Sequence, residues 1–274
     1  MLVDNHIHNK YSKDAEGEIS ELKDVLIKKD LKQISITNHS TLPGKYSFDG
    51  DGGMIKKQIR DYKKDIETLR KKLPGKIINF GVEIDYIEGY EKYIKNYLEK
   101  FGFEFSLGSV HFIRGMWWDQ TEKKFNELIE TFGSVKKVIQ EYYRLIRKIS
   151  DLKIFDCISH FDYIKKANIN NRFFSDEEEF YTREIKKTLD TLKKNNSVIE
   201  VNTSGLFAEI KEQYPSFKIL KMCQKKKIPV TLGSDAHKKE DIGKGFNHIV
   251  PELKKIGFEK IVMFNKHQKS LCDF

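Results

Sequence analysis

The stretch Leu2-Val3-Asp4-Asn5-His6-Ile7-His8 decides the fold, because it is typical of a short strand that ends in two histidines. Side chains alternate between the two faces of a strand, so Asp4, His6 and His8 are predicted to share one face. Two imidazoles side by side at a strand end can bind one metal ion, and imidazole suits zinc, iron and manganese. An isolated His-x-His pair also arises by chance, so the prediction depends on the rest of the chain repeating the arrangement.

Apolar strand-like runs alternate with amphipathic helical stretches along the whole chain. The predicted strands are residues 2–7, 33–38, 77–84, 105–110, 154–159, 197–202, 228–233 and 261–264. The predicted helices are residues 54–73, 121–149, 176–195 and 214–227. This alternation favours a parallel α/β fold, and 274 residues with 39% hydrophobic content suffice for one domain over residues 1–274.

Six of the eight histidines lie at or just past the end of a predicted strand. They are His6, His8, His39, His111, His160 and His237, and two carboxylates, Glu83 and Asp235, lie at similar positions. In a parallel barrel these strand ends open on one face, where active sites are found. The donors exceed what one ion needs, so two or three clustered ions are expected, as in phosphoester hydrolysis. His248 and His267 break the pattern and are predicted to lie on the surface.

Composition excludes several classes of protein. Charged residues make up 33% of the chain, and the longest apolar runs have the length of strands, so no membrane-spanning segment is predicted. The first residues lack a basic and apolar leader, and three cysteines fit a reducing cytoplasm. The net charge of +9 could indicate nucleic acid, but paired lysines on helix faces favour a solvated surface. The Gly-rich segment 49–53 is predicted to be a flexible loop.

In this order, the motifs resemble those of the PHP (polymerase and histidinol phosphatase) superfamily, most closely its histidinol-phosphate phosphatases. The residues that carry the resemblance are Asp4-x-His6-x-His8, Asp14, Thr37-Asn38-His39, Gly81-x-Glu83, Gly108-Ser109-Val110-His111-Phe112, Ser159-His160-x-Asp162, Glu200-x-Asn202-Thr203-Ser204-Gly205 and Gly233-Ser234-Asp235-Ala236-His237. The resemblance implies a distorted (β/α)7 TIM-like barrel, the PHP fold, with a trinuclear metal site at the C-terminal ends of the strands.

The resemblance also implies a ligand set for two or three divalent ions of zinc, iron or manganese. The first ion takes His6, His8, Glu83 and Asp235. The second takes Glu83, His111 and His160, and the third takes Asp14, His39 and His237. Asp14 stands where some relatives carry histidine, an exchange that such metals tolerate.

The activity implied is hydrolysis of L-histidinol phosphate, a step of histidine biosynthesis, by a hydroxide that bridges two ions. Glu83, Asp162 and Asp235 are the predicted catalytic residues. Asp162 would orient the substrate or protonate the leaving alcohol, or else fix a ligand imidazole. Asn202 and Ser204 are expected to bind the substrate.

One departure concerns the substrate phosphate. Phe207-Ala208 stands where the phosphatases often carry a basic pair. The missing charge could come from Arg114, Lys165, Lys166 or Arg172, since arginine binds phosphate through two nitrogens and lysine as a point charge.

Three alternatives stay open from the residues alone. The same ions would serve a phosphatase for another small ester, or a PHP phosphodiesterase acting on nucleic acid. A metal-binding regulatory domain without turnover is the third. Gly81, Gly108 and Gly233 precede ligands by two or three residues, where they leave room for the cluster or relieve crowding in the barrel.

Overall fold

The structure, a computed structural model, describes residues 2–46, 52–118 and 122–274. Residues 49–51 of the predicted flexible loop, and residue 121 of a predicted helix, lie outside the described residues. The strands are β1 Leu2–Ile7, β2 Leu31–Ile36, β3 Ile77–Asp85, β4 Phe105–Ser109, β5 Phe112–Ile113, β6 Met116–Trp117, β7 Cys157–Ile158, β8 Ile199–Asn202, β9 Val230–Gly233, β10 Lys260–Asn265 and β11 Gln268–Asp273. The α-helices are α1 Leu22–Lys28, α2 Ile59–Lys72, α3 Glu91–Phe101, α4 Glu122–Phe132, α5 Val135–Leu152, α6 Glu179–Lys194, α7 Phe217–Lys225 and α8 Phe246–Ile256.

Seven parallel strands form the barrel, in the order β1-β2-β3-β4-β7-β8-β9. The first and last strands meet where the backbone nitrogen of His8 donates to the carbonyl of Ala236 (2.8 Å) and that of Asp235 donates to the carbonyl of His6 (2.8 Å). Helices alternate with the strands, and one hydrophobic cluster runs between the two layers. The predicted TIM-like barrel is therefore confirmed.

A hairpin of β10 and β11 covers the N-terminal end of the barrel. Its strands pair with each other outside the barrel sheet, and three main-chain groups of β10 bind polar side chains of the barrel strands. Thr231 donates to the carbonyl of Val262 (2.7 Å), Asn79 donates to the carbonyl of Phe264 (3.0 Å), and the nitrogen of Phe264 donates to Gln33 (2.8 Å). With this end covered, the C-terminal strand ends form the accessible mouth.

Most of the predicted strands and helices are confirmed, but one predicted helix is divided into two. The helix predicted over residues 121–149 is two helices, α4 and α5, separated by Gly133 with φ +77°. Ser134 then caps α5 by accepting a hydrogen bond from the backbone nitrogen of Lys137. Three helices, α1, α3 and α8, were not predicted. No α-helix in the described part of the chain is long and apolar enough to cross a membrane.

The predicted alternation along β1 is wrong at Asn5. The pairing register of β1 with β2 shifts between Asp4 and Ile7, as at a β-bulge. Asn5 donates to Thr231, while the His6 ring contacts Glu200, and Thr231 and Glu200 are register partners on one face. Two consecutive side chains therefore point into the barrel, and Asp4 instead binds Ser234 and Gly243.

Candidate metal centre

Side chains from the ends of the barrel strands converge at the mouth. The chain after β1 supplies His8, β3 supplies Glu83, and the turn after β9 supplies two further residues. The structure brings together all nine predicted ligands, which are His6, His8, Asp14, His39, Glu83, His111, His160, Asp235 and His237. The expected convergence at one barrel mouth is thus present, although the ligand roles themselves stay predictions.

Glu83 lies at the centre of the cluster. Its Oε2 lies 3.2 Å from Nε2 of His6 and 3.0 Å from Nδ1 of His39, and its Oε1 lies 3.0 Å from Nε2 of His160. Ser109 donates to the same Oε1 at 2.6 Å. One carboxylate therefore faces imidazoles from three different strand ends, which is the arrangement expected of a bridging ligand.

Three groups of side chains each present ligand atoms within 4.8 Å of one another. They are His6, His8 and Asp235; Glu83, His111 and His160; and His8, His39 and His237. Two of these groups differ from the sets implied by the resemblance: the first lacks Glu83, and the third contains His8 in place of Asp14. Asp14 borders that group, with Oδ2 3.3 Å from Nε2 of His39 and 3.5 Å from Nε2 of His237.

Burial is graded across the cluster. The side chains of His6, His8 and Glu83 are at most 1% exposed, whereas those of His237 and Asp14 are 34% and 42% exposed. His39 and His237 of the third group, with Asp14 beside them, therefore lie nearer the solvent than His6 and Glu83.

Two imidazoles of the cluster are held by neighbours that sequence reasoning missed. Nδ1 of His111 lies 2.7 Å from Oδ1 of Asp85, and Nδ1 of His8 lies 3.3 Å from the hydroxyl of Ser12. Such contacts fix ring orientation and leave the opposite nitrogen for a metal. The sequence pattern could have indicated Asp85, because it follows Glu83 by two positions and so lies on the same face of β3. No sequence pattern indicates Ser12, which lies in the loop after β1.

The electrostatics of the cluster favour a cation. Burial by itself would raise the pKa of Glu83, but the imidazoles of His6 and His39 hold it well below its usual range. Burial likewise opposes a charge on His6, yet Glu200, Asp235 and Glu83 raise its pKa well above the usual value. A positive charge at this imidazole is thus stabilised, whether a proton or a metal ion provides it.

The donor set fits metal ions. The Nε2 atoms of His6 and His8 are buried and make no hydrogen bond with the described residues, although carboxylate oxygens of Glu83 and Asp235 lie 3.2 Å and 3.4 Å from them, respectively. Burial, together with the neighbouring His237 and His39 imidazoles, lowers the pKa of His8 to about 3, so its ring is neutral and can offer a lone pair. Buried unpartnered nitrogens are costly unless something binds them, and mixed imidazole and carboxylate donors suit zinc, iron and manganese.

The predicted substrate-binding residues Asn202 and Ser204 lie beside Asp235. The Asn202 amide donates to Oδ2 of Asp235 (3.3 Å), and the Ser204 hydroxyl lies 3.3 Å from the same oxygen. Ser204 also donates to Oδ1 of Asn202 at 2.7 Å. In this structure both residues hold the Asp235 carboxylate in place.

Asp162 and Lys165 bind other partners than the nine ligands. The buried Asp162 carboxylate accepts a hydrogen bond from the backbone nitrogen of Ser216 (3.0 Å). The ammonium of Lys165 contacts Asp176 and Glu212. Burial raises the pKa of Asp162 to about 7, although Lys165 counteracts the shift. These contacts join the segment after His160 to the segments before α6 and α7. The catalytic role of Asp162 stays a prediction.

Two further candidates for binding the substrate phosphate, Arg114 and Arg172, contact residues other than the predicted ligands. The Arg114 guanidinium lies over the ring of Phe132, 4.4 Å from its centroid, and Arg172 pairs with Glu122 at the surface.

Lys166 lies beside an aromatic ring that packs against two predicted ligands. Its Nζ donates to the hydroxyl of Tyr163 (2.6 Å) and lies 4.9 Å from the centroid of that ring. The Tyr163 ring in turn packs 4.4 Å from His160 and 5.3 Å from His111, between centroids. Lys166 is therefore separated from two predicted ligands by a single aromatic ring.

Two of the three glycines singled out in the sequence relieve crowding in the barrel wall. A Cβ on Gly81 would lie 2.6 Å from the carbonyl oxygen of Ile36, and one on Gly108 would lie 2.7 Å from Ile149 of α5. Only Gly233 lies directly beneath the cluster, where a Cβ would meet the His6 side chain at 2.8 Å.

The fold and the cluster together agree with the family comparison. Residues 4–204 match the PHP domain, and residues 216–261 match the PHP-associated segment. Since the first match covers well over half of the chain, the protein belongs to the PHP domain family.

Relatives of known name span nearly the whole chain. The sequence is 28% identical over 256 residues to the histidinol-phosphatase of Bacillus subtilis, covering 88% of this chain and 95% of that protein. It is 25% identical over 269 residues, 98% of each chain, to a Deinococcus radiodurans protein named probable histidinol-phosphatase. Among solved structures, histidinol phosphate phosphatase from Lactococcus lactis, complexed with zinc, L-histidinol and phosphate, superposes with a TM-score of 0.77 at 20% identity over 98% of each chain. At this level of identity, the structural similarity shows that the two proteins share a fold.

Proposed function

We propose that this protein is a metal-dependent phosphomonoesterase that hydrolyses L-histidinol phosphate to L-histidinol and phosphate. The observation that carries the proposal is the convergence of six imidazoles and three carboxylates at one barrel mouth. Full-length similarity to proteins named histidinol-phosphatase supports the choice of substrate.

Two or three divalent ions of zinc, iron or manganese are the proposed cofactors. His6, His8 and Asp235 would hold one ion, Glu83 with His111 and His160 a second, and His39 and His237 with His8 or Asp14 a third. Bound ions of this kind neutralise phosphate charge, lower the pKa of water and stabilise a leaving oxygen.

Residues around the barrel mouth would support this chemistry by restraining a predicted ligand, excluding water and supplying positive charge. Asn202 and Ser204 restrain the Asp235 carboxylate, so that it does not turn away from the imidazoles. The aromatic rings around His160 exclude water from the inner side of the site, since Tyr163 is 9% exposed and packs against Tyr214. Lys166 supplies positive charge next to this wall, where a phosphate ester would be attracted.

A second candidate function is hydrolysis of another small phosphate ester. Phe207 is 49% exposed, and the ammonium of Lys244 lies 4.3 Å from its ring centroid. This segment stands where the resemblance leads one to expect a basic pair, so the preferred leaving group could differ.

A phosphate-release screen over small phosphate esters, on protein whose metals have been assayed, tests the proposal. We expect histidinol phosphate to be the preferred substrate and activity to depend on bound transition metal. His160→Gln should abolish most of that activity, whereas His248→Gln, at an exposed position on α8, should retain it. A fully metallated enzyme that leaves histidinol phosphate intact but cleaves another ester would overturn the assigned substrate.

A further inference from the structure

We infer that Glu200 is a positioning residue that fixes the spacing of two metal positions by joining His6 to His160 from beneath the cluster. The inference rests on the proposed metal centre and concerns a residue of β8 that is not among the nine ligands.

Glu200 and Glu83 hold the same two histidines from opposite sides. Oε1 of Glu200 lies 2.7 Å from Nδ1 of His6, and its Oε2 accepts a hydrogen bond from the backbone nitrogen of His160 at 2.7 Å. Glu83 contacts Nε2 of His6 and Nε2 of His160. The four residues thus form a closed ring of contacts that links two of the candidate ion groups.

Both oxygens of the Glu200 carboxylate are occupied by donors. The Asn202 amide adds a third hydrogen bond, to Oε2 at 3.2 Å, and the Glu200 side chain is fully buried. These contacts make Glu200 a partner of ligands rather than a ligand itself. A carboxylate that accepts from Nδ1 of His6 also leaves the lone pair of that ring on Nε2, the atom facing Glu83 and Asp235.

A glutamine cannot replace this carboxylate. One of its two polar atoms is an amide nitrogen, which would have to face either the N–H of His160 or Nδ1 of His6. Facing His160, it would place two donors together. Facing His6, it would favour the ring tautomer that carries its proton on Nε2 and so removes the lone pair from the metal side.

Gly233 provides independent evidence that the position of Glu200 is tightly constrained. A Cβ on Gly233 would lie 1.9 Å from Oε1 of Glu200 and 2.8 Å from Cβ of His6. Gly233 of β9 pairs in register with Asn202 of β8. Because glycine carries only hydrogen at this position, the Glu200 carboxylate has room, and any larger side chain would displace it. The glycine at position 233 therefore leaves the room that the Glu200–His6 contact needs.

Metal binding to Glu200→Gln tests the inference. Zinc affinity and stoichiometry can be measured with a competing chelator and elemental analysis, and the visible spectrum of the cobalt-substituted protein reports ligand geometry. We expect affinity for at least one ion to fall by about 10- to 100-fold, with a changed cobalt spectrum. Glu184→Gln is the matched control, because Glu184 is buried on α6 and pairs with Arg147.

Gly233→Ala is the second variant, because it displaces the same carboxylate without changing any charge. It should weaken metal binding in the same direction, whereas Gly108→Ala, which crowds Ile149 and Phe155, should only lower stability. Wild-type metal affinity and cobalt spectrum in a folded Glu200→Gln or Gly233→Ala protein would overturn the inference. These measurements need no substrate, so a failure of the proposed histidinol phosphate activity would remain a separate result.

Discussion

Nδ1 of His111 lies 2.7 Å from Oδ1 of Asp85, two residues beyond the central Glu83 on the same strand. The Asp85 side chain is 10% exposed, so the contact is largely shielded from water. A carboxylate in this position orients the ring and increases the basicity of the opposite nitrogen. The ring of His111, a predicted ligand, is therefore held in orientation by a neighbour that does not itself belong to the three candidate groups.

The first prediction is that Asp85→Asn weakens metal binding. The asparagine oxygen can still accept from Nδ1, but the charge that strengthens the bond is lost, so we expect about a tenfold loss of metal affinity or of kcat/KM at limiting metal. Asp190→Asn, at an exposed pair with Lys226, is the control and should behave as wild type. Unchanged metal affinity in Asp85→Asn would show that His111 needs no such partner.

The second prediction concerns the cation beside the Tyr163 ring. Replacing Lys166 by methionine removes a charge near His160 while keeping much of the side-chain length. If the ammonium attracts the substrate phosphate, KM should rise about tenfold, the value of one charge-assisted hydrogen bond of ~1.5 kcal/mol. Steady-state phosphate release measures KM and kcat separately.

Arg172→Met is the matched control for Lys166→Met. Arg172 is more than half exposed and pairs with Glu122, so its loss should leave KM unchanged. A KM that rises in Arg172→Met or Arg114→Met, and not in Lys166→Met, would assign the phosphate contact to a different cation.

The barrel and the cluster could be predicted from the sequence because their signals are local. Each histidine predicted to be a ligand lies at or just past the end of a short apolar run, and a parallel barrel gathers the ends of such runs on one face. The C-terminal ends of the strands share this face whichever strands are neighbours. The sequence pattern therefore located His39 and His237 correctly at the mouth, although their sequence separation is large.

Features that depend on packing between distant segments could not be predicted. Strand β11 carries mostly exposed polar side chains, so it lacks the apolar alternation of a half-buried strand. The bulge at Asn5 arises from the pairing of β1 with β2, and the partners of Lys165 come from two separate loops. Because these contacts form only in the folded chain, the sequence placed Lys165 among the candidate phosphate-binding residues without revealing its acidic partners.

The third prediction is that removing metal lowers stability as well as activity. Without an ion, the buried Nε2 atoms of His6 and His8 gain no hydrogen bond from the described residues, and their burial costs stability. A ligand that binds only the folded state stabilises it by about 2.7 kcal/mol at a hundred times its Kd. Thermal unfolding after dialysis against a chelator should show a lower Tm, which zinc or manganese restores in a concentration-dependent manner. A Tm indifferent to both treatments would exclude a structural contribution from the ions.

The fourth prediction is a pH-dependent contribution of His267 to stability. This residue lies in the turn of the β10–β11 hairpin and, as expected, its side chain is largely exposed (54%). Nδ1 lies 2.9 Å from Oδ2 of Asp156, and Nε2 lies 2.7 Å from the carbonyl oxygen of Phe103. Both ring nitrogens thus face acceptors, which only the protonated imidazole satisfies with two N–H groups.

The hydrogen bond to Asp156 raises the pKa of His267 above its ordinary value near 6.5. A group whose pKa is higher in the folded state stabilises that state most below the unfolded pKa and loses this effect as pH rises through the folded value. The difference in unfolding free energy between wild type and His267→Gln should therefore be largest below about pH 6.5 and should shrink at higher pH. Urea unfolding at constant metal concentration measures it, with Asp156→Asn expected to remove the same dependence. A difference that is constant across pH would mean that the neutral ring makes the contact equally well.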